Sequence, residues 1–165
     1  MVWIAVTVLA GSVISAGQEP IGGIAHHYDP VVDATVESVT LTHDLPVHVQ
    51  VSTVYLGQRR EGPPKRVELL ISKDGPVIAD ARTSELSVAL LVNGERFRHG
   101  TLNARDVSGS NAVALVFSFD EFTELAQART VGGQAFGVTF ALTGEQLVVL
   151  QMLAERWASS EPMLR

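Results

Sequence analysis

The alternation of apolar and polar residues predicts a series of antiparallel strands that is followed by two helices. Between residues 36 and 92, apolar side chains recur at every second position in several short runs. Such alternation gives a strand one buried face and one solvent-facing side. Polar turns with Gly or Pro separate the runs, which are residues 39–42, 47–52, 67–71 and 86–92. The phase of the alternation changes at Thr53, which predicts a β-bulge there.

The strongest local turn signal is the Asn-Gly pair at positions 93–94, which lies between two apolar runs. A two-residue type I′ turn needs positive φ at both central positions, and Asn followed by Gly meets that need. The resulting hairpin places Phe97 on the core face and puts Arg96 and Arg98 on the solvent face.

The C-terminal part of the chain changes to helical patterning. Residues 113–119 carry apolar side chains at both odd and even positions, which predicts a central strand that is covered on both faces. Asp120 is the predicted N-cap of a short helix, and residues 143–146 form a capping box that opens a final helix. Residues 131–142 between the helices predict one strand that glycines interrupt. The expected fold is α+β, a twisted antiparallel sheet of about six to seven strands with two helices packed on one face, the second helix C-terminal.

The first residues of the chain predict export. Residues 2–16 are uncharged and mostly apolar, and they end in small residues, as signal peptides do. No Lys or Arg precedes this run, which a mis-called start would explain. The alternatives to a signal peptide are a retained membrane anchor and an element of the protein core. An anchor needs about 20 apolar residues. The predicted organisation is a signal peptide at 1–17, a linker at 18–35, one α+β domain at 36–158 and a frayed tail at 159–165, in a periplasmic or extracellular protein.

Composition narrows the class of protein. The chain has 165 residues, 46% of them apolar and 18% charged, which suits one domain with a hydrophobic core and excludes a disordered chain. The absence of Cys excludes a disulfide scaffold, a thiolate metal site and a Cys nucleophile. A net charge of -6 argues against a nucleic-acid partner.

The candidate chemistry is sparse, and the sequence predicts no catalytic, cofactor or metal residues. No nucleophile elbow, zinc helix or phosphate loop is present. The densest set of metal-ligand types is His26, His27 and Asp29, to which His43, His48 or His99 would have to be added. His99 shares the parity of Phe97, so a partly buried and satisfied histidine is expected there.

A basic loop is the strongest functional candidate on the chain. Two prolines lie between two pairs of cations, which are Arg59, Arg60, Lys65 and Arg66. Such a cluster can contact an anionic polymer, lipid headgroups or an acidic protein surface. The alternative is a solvated loop whose charges discourage strand edges from pairing between molecules.

Three segments resemble a module of bacterial exported proteins that has no assigned function. They contain the Asn-Gly hairpin tip (residues 90–100), a Phe-x-x-Leu-Ala-x-Ala helix (114–134) and a Phe-x-Leu-Thr-x-x-Gln-Leu-x-x-Leu segment (140–157). The resemblance implies the same order of hairpin, strand, short helix, strand and C-terminal helix over about residues 90–158, and an exported setting. It transfers no catalytic or binding residue.

Together these features predict an uncharacterised exported protein, a non-catalytic binding or structural module that acts through its surface. The alternative is a small hydrolase or ligand-binding enzyme with a pocket between the sheet and the helices. Its first candidate residues would be His48, His99 and Asp106. A membrane contact is expected only if the leader is retained.

Overall fold

The structure is a computed structural model that describes residues 23–42, 47–74, 88–107 and 110–159. Its strands are β1 (Ile24–Asp29), β2 (Ala34–Thr40), β3 (His48–Leu56), β4 (Val67–Asp74), β5 (Val88–Val92), β6 (Glu95–Arg96), β7 (Thr101–Val107), β8 (Ser110–Phe117), β9 (Val131–Ala135) and β10 (Val138–Ala141). Its helices are α1 (Phe119–Ala126) and α2 (Gly144–Ala158).

The described strands form two antiparallel sheets. The larger sheet has six strands in the order β1-β2-β3-β4-β8-β7, and the smaller has four in the order β10-β9-β5-β6. An α+β fold with antiparallel strands and a C-terminal second helix is therefore confirmed, whereas the predicted single sheet is instead divided in two. The division arises because β5 pairs with β9 on one side and with the two-residue β6 on the other.

The larger sheet begins earlier in the chain than the sequence predicted. Strand β1 lies inside the predicted linker at 18–35, yet it pairs with β2 from Ile24 opposite Val39 to Asp29 opposite Ala34. Residues 24–35 therefore belong to the folded domain. The predicted signal peptide at 1–17 and the tail from residue 160 lie outside the described residues. No helix among the described residues is long and apolar enough to cross a bilayer.

Alternate residues of the central strands build the core face of the larger sheet. One row runs straight across four strands and is buried throughout: Val39, Val51, Leu69 and Leu115. The predicted bulge at Thr53 is wrong, because β3 pairs with β2 without interruption from Gln50 to Leu56. Thr53 stays on the buried face, where its hydroxyl donates to the carbonyl of Arg66 at 2.8 Å. That bond satisfies the polar group inside the core.

The segment at 131–142 is a hairpin rather than one interrupted strand. Phe136 and Gly137 have φ values of 52° and 72°, and they form the turn between β9 and β10. Gly133 lies in the middle of the smaller sheet, where a Cβ would collide with the carbonyl oxygen of Ala89 on β5. This glycine therefore permits the close backbone approach that glycine in a strand often marks.

Both helices begin with a capping box. At α1 the N-cap is Ser118 rather than the predicted Asp120: the Ser118 side chain accepts from the backbone of Glu121, whose carboxylate accepts from the backbone of Ser118. At α2 the predicted N-cap Thr143 is confirmed, with Gln146 as its reciprocal partner. These bonds satisfy backbone N–H groups that the first turn of a helix leaves without partners.

One hydrophobic cluster joins both sheets and both helices. Trp157 near the end of α2 is fully buried, and its ring lies 5.4 Å from that of Phe122 on α1. At the other end of α2, the side-chain amide of Gln146 donates to the carbonyl of Leu41 at 2.8 Å, just beyond β2. Helix α2 is thereby anchored to the end of β2 near its N-terminus and to α1 near its C-terminus.

Candidate anion-binding groove

Two open clefts share residues 98–100 in their linings, and together we call them the basic groove. The clefts have volumes of about 560 Å³ and 540 Å³. The positively charged side chains that line them are Lys65, Arg66, Arg96 and Arg98. All four of these residues are solvent-exposed.

The β5–β6 hairpin carries two of these cations. Asn93 and Gly94 have φ values of 52° and 83°, so the predicted turn is confirmed. The Asn93 side chain accepts from the backbone N–H groups of residues 129 and 130, which ties the turn to the segment that follows α1. The hairpin therefore holds Arg96 and Arg98 at a defined place beside the larger sheet.

Gly100 lets the chain leave the hairpin close to β8. It has a φ of 89°, and a Cβ at this position would lie 2.5 Å from the ring of Phe117. Both the backbone conformation and the contact exclude a larger residue without rearrangement. The floor of the groove is consequently formed where the backbone at 98–100 passes over the end of β8.

The connection from β3 to β4 carries the other two cations. Pro64 is buried, and the carbonyl of Arg66 accepts the buried hydroxyl of Thr53. These contacts fix the backbone while the side chains of Lys65 and Arg66 stay in solvent. Two of the four residues of the predicted basic loop thus line the same cleft as Arg98, and Arg96 lines the neighbouring cleft.

The other two residues of the basic loop do not reach the groove. Arg59 is exposed and lines neither cleft. Arg60 turns inward, and its guanidinium donates to the carbonyl oxygens of Trp157, Arg156 and Gly62 at 2.5, 3.2 and 3.1 Å. Burial lowers the pKa of Arg60, and Glu37 opposes that shift. The guanidinium of Arg60 therefore caps the C-terminus of α2.

Glu37 is a buried carboxylate that the sequence analysis missed. It is 4% exposed, and it accepts a hydrogen bond from the indole N–H of Trp157 at 3.0 Å. Three side chains with basic nitrogens surround it, namely Arg156 at 3.4 Å, His26 at 3.5 Å and Arg60 at 3.9 Å. The signal was available, because Glu37 has the same parity as Val39 and therefore faces the core.

A histidine with two carboxylates lies at the rim of the groove. His99 Nδ1 is 3.5 Å from Glu121 Oε1, and Nε2 is 3.7 Å from Glu124 Oε2. The His99 side chain is 49% exposed, more than the sequence predicted, and its ring meets the edge of Phe97. Hydrogen bonding from the backbone N–H of Ser118 lowers the pKa of Glu121, so this carboxylate is negative at neutral pH.

The three candidate residues of the enzyme alternative lie at different parts of the larger sheet. His48 lies on β3 opposite Ser72 of β4, whereas residue 99 precedes β7 and residue 106 lies near the other end of β7. A strand rises about 3.3 Å per residue, which separates those two backbone positions by most of the length of β7. The side chain of Asp106 and all of His43 lie outside the described residues. Within the described part of the chain, no three His, Asp or Glu side chains converge to hold a metal.

Comparison of the chain with protein-family models, with curated proteins and with solved structures found no match. The resemblance of residues 90–158 to a module of exported proteins therefore stays a prediction.

Proposed function

We propose that the protein is a non-catalytic binding module that holds an anionic ligand in the basic groove. The observation that carries this proposal is that four cations from two distant parts of the chain line two clefts that share residues 98–100: Lys65 and Arg66 line the first cleft, Arg96 lines the second, and Arg98 lines both. The whole chain has a net charge of -6, so these cations form a local positive region on an acidic protein. Such a region steers an anion towards one place on the surface.

The donors in the groove suit carboxylate or phosphate groups. A guanidinium presents a planar set of N–H donors that can bind either group through two parallel hydrogen bonds. Glu121 is the only acidic residue among the described residues that line the two clefts, and both of its oxygens already have partners in Ser118 and His99. A ligand anion therefore meets more positive than negative charge in the groove.

Because each cation is exposed, each contact with an anion is weak and is screened by salt. Several contacts must act together, which favours a ligand with more than one negative group. The location predicted from residues 2–16 completes the proposal, since an exported protein would meet such ligands in the periplasm or outside the cell.

The proposal is tested with two double variants that remove the same charge. Arg66→Gln with Arg98→Gln changes the groove, and Arg59→Gln with Arg129→Gln changes exposed residues that line neither cleft. We expect the groove variant to bind labelled dextran sulfate or poly-L-glutamate about tenfold more weakly at low salt, since two exposed ion pairs are lost. Fluorescence anisotropy measures the affinity, and thermal unfolding confirms that both variants fold.

The control variant should keep the affinity of the unmodified protein to within a small factor. Equal losses in the two variants would show a response to net charge rather than a site. Absence of salt-sensitive binding in the unmodified protein would overturn the proposal.

A further inference from the structure

In the second cleft of the basic groove, the start of β5 has an edge that no described strand covers. Strand β6 has only two residues and pairs with Leu91 and Val92 of β5. One further bond follows, from the backbone N–H of Phe97 to the carbonyl of Leu90 at 2.9 Å. The chain then turns away towards β7, and the cleft opens between residues 96–100 and the start of β5 at Val88 and Ala89.

The backbone of Val88 faces this opening. Along an antiparallel strand, successive residues direct their N–H and C=O groups to opposite neighbours. Leu90 bonds to Phe97 on the β6 side, so Val88, two positions earlier, presents its groups on the same side. No described strand pairs with Val88 there, because β9 occupies the other side of β5. An uncovered edge of this kind is a template for another strand.

Cations and apolar side chains flank the edge. Arg96 and Arg98 are two positions apart, and the hairpin holds Phe97 between them in extended pairing with Leu90. Side chains two positions apart on an extended chain lie on one face, about 6.6 Å from each other. Phe97 and Leu115 supply an apolar surface beside these cations.

We propose that the ligand of the basic groove is an extended acidic peptide segment that pairs with the smaller sheet at Val88, the first residue of β5. This inference rests on the proposed function and names the partner. A peptide in β conformation repeats its same-face side chains at the spacing of Arg96 and Arg98, so acidic residues at alternate positions match them. Its backbone can pair with Val88, which a polysaccharide or a phosphate chain cannot do in the same way. Arg66 and Lys65 extend the contact into the first cleft.

The inference is tested with a labelled peptide of alternating Glu and Thr and two N-methylated forms of it. One form carries the methyl groups on every Glu nitrogen and the other on every Thr nitrogen, so charge and length are equal. Because the backbone groups of alternate residues point to opposite edges, only one form loses the N–H donors that face β5. We expect that form to bind about tenfold more weakly and the other to bind like the parent, since the hydrogen bond to the carbonyl of Val88 is lost.

A protein variant gives a second measurement. Val88→Pro removes the N–H of Val88 at the first position of β5, where proline is tolerated in strands. It should weaken binding of the parent peptide and leave binding of dextran sulfate unchanged. If this variant fails to fold, the two N-methylated peptides still decide the matter with the unmodified protein.

The outcomes separate the two proposals. Equal affinity of both N-methylated peptides and the parent would overturn pairing along β5 while leaving anion binding in place. Salt-sensitive binding of dextran sulfate without binding of any peptide would likewise reject the peptide and keep the groove. If no polyanion binds, both proposals fail.

Discussion

Glu37 is a charged side chain at a position that alternation assigns to the core. Burying a carboxylate is costly unless donors and opposite charges replace its water. Here the indole of Trp157 donates to one oxygen at 3.0 Å, and Arg156 approaches the other at 3.4 Å. The carboxylate thereby joins β2 to the last turn of α2. Both Arg156 and Trp157 lie more than a hundred positions from Glu37 in the sequence.

Replacement of Glu37 with Gln should destabilise the protein. The amide cannot neutralise the surrounding cations. Its NH₂ group also introduces hydrogen-bond donors at a place where the neighbouring side chains are themselves donors. We expect a loss of about 1–3 kcal/mol in the free energy of unfolding, the range for a disrupted hydrogen bond to a charged group. Urea denaturation followed by circular dichroism measures it.

The matched control is Glu155→Gln on the exposed face of α2. Its effect should stay within about 0.5 kcal/mol, as is usual for surface substitutions. A Glu37→Gln variant as stable as this control would show that the buried charge contributes nothing to the docking of α2.

At the level of secondary-structure elements, the connection between β3 and β4 has two separate roles. Its first part caps a helix, because Arg60 donates to two carbonyl oxygens at the C-terminus of α2. The last carbonyls of a helix lack intrahelical partners, and a cation there also suits the helix dipole. Its second part carries Lys65 and Arg66 into the groove. Within this one loop, Arg60 therefore stabilises the fold, whereas Lys65 and Arg66 line the candidate site.

Arg60→Met and Arg59→Met should differ strongly in stability. Methionine keeps part of the apolar stem of Arg60 but removes every donor to α2, so we expect a loss of about 1.5–3 kcal/mol. Arg59 is exposed, and its replacement should change stability by about 0.5 kcal/mol or less. Thermal or urea unfolding of the two variants gives the comparison, and equal stabilities would refute the capping role of Arg60.

The start of α1 shows how capping chemistry can be misassigned by two residues. Ser118 and Asp120 are both good N-cap types, and the two are separated by Phe119 alone. The helix begins at Phe119 because Ser118 has extended dihedrals and completes a reciprocal pair with Glu121, whereas Asp120 lies inside the first turn. Strand β8 ends at Phe117, and the helix begins directly after it, so Ser118 rather than Asp120 takes the N-cap position.

On the scale of the whole molecule, the two sheets and the two helices share one core. The hydrophobic cluster includes Leu69 of the larger sheet, Val131 of the smaller sheet, Leu125 of α1 and Leu150 of α2. Neither sheet has a separate cluster among the described residues. Packing of this kind couples the elements, because loss of one removes contacts from the others.

We therefore predict a single cooperative unfolding transition. Far-UV circular dichroism follows the strands and helices, and near-UV circular dichroism follows the packing of aromatic side chains such as Trp157. The two curves should coincide in urea, as in a two-state domain of this size. An early near-UV transition or a separate phase for part of the far-UV signal would show that the smaller sheet unfolds independently.

Local features of the chain determined much of the secondary structure. The Asn93-Gly94 turn, the Thr143 capping box and the alternation that buries Val51 and Leu69 follow from φ preferences, side-chain reach and strand parity. Each involves residues within a few positions of one another. For that reason the class of fold could be predicted from the sequence.

Only the tertiary structure decided how the strands divide and which distant side chains meet. The same alternation is compatible with one sheet or two, and the division depends on β5 pairing with β9 instead of joining the larger sheet. Arg60 turns inward to α2, whereas Arg66 and Arg98 line the same cleft, although all three are arginines that the sequence alone does not distinguish in this way. Parity and propensity act over a few residues, whereas a groove forms between segments that the folded core brings together from far apart in the chain.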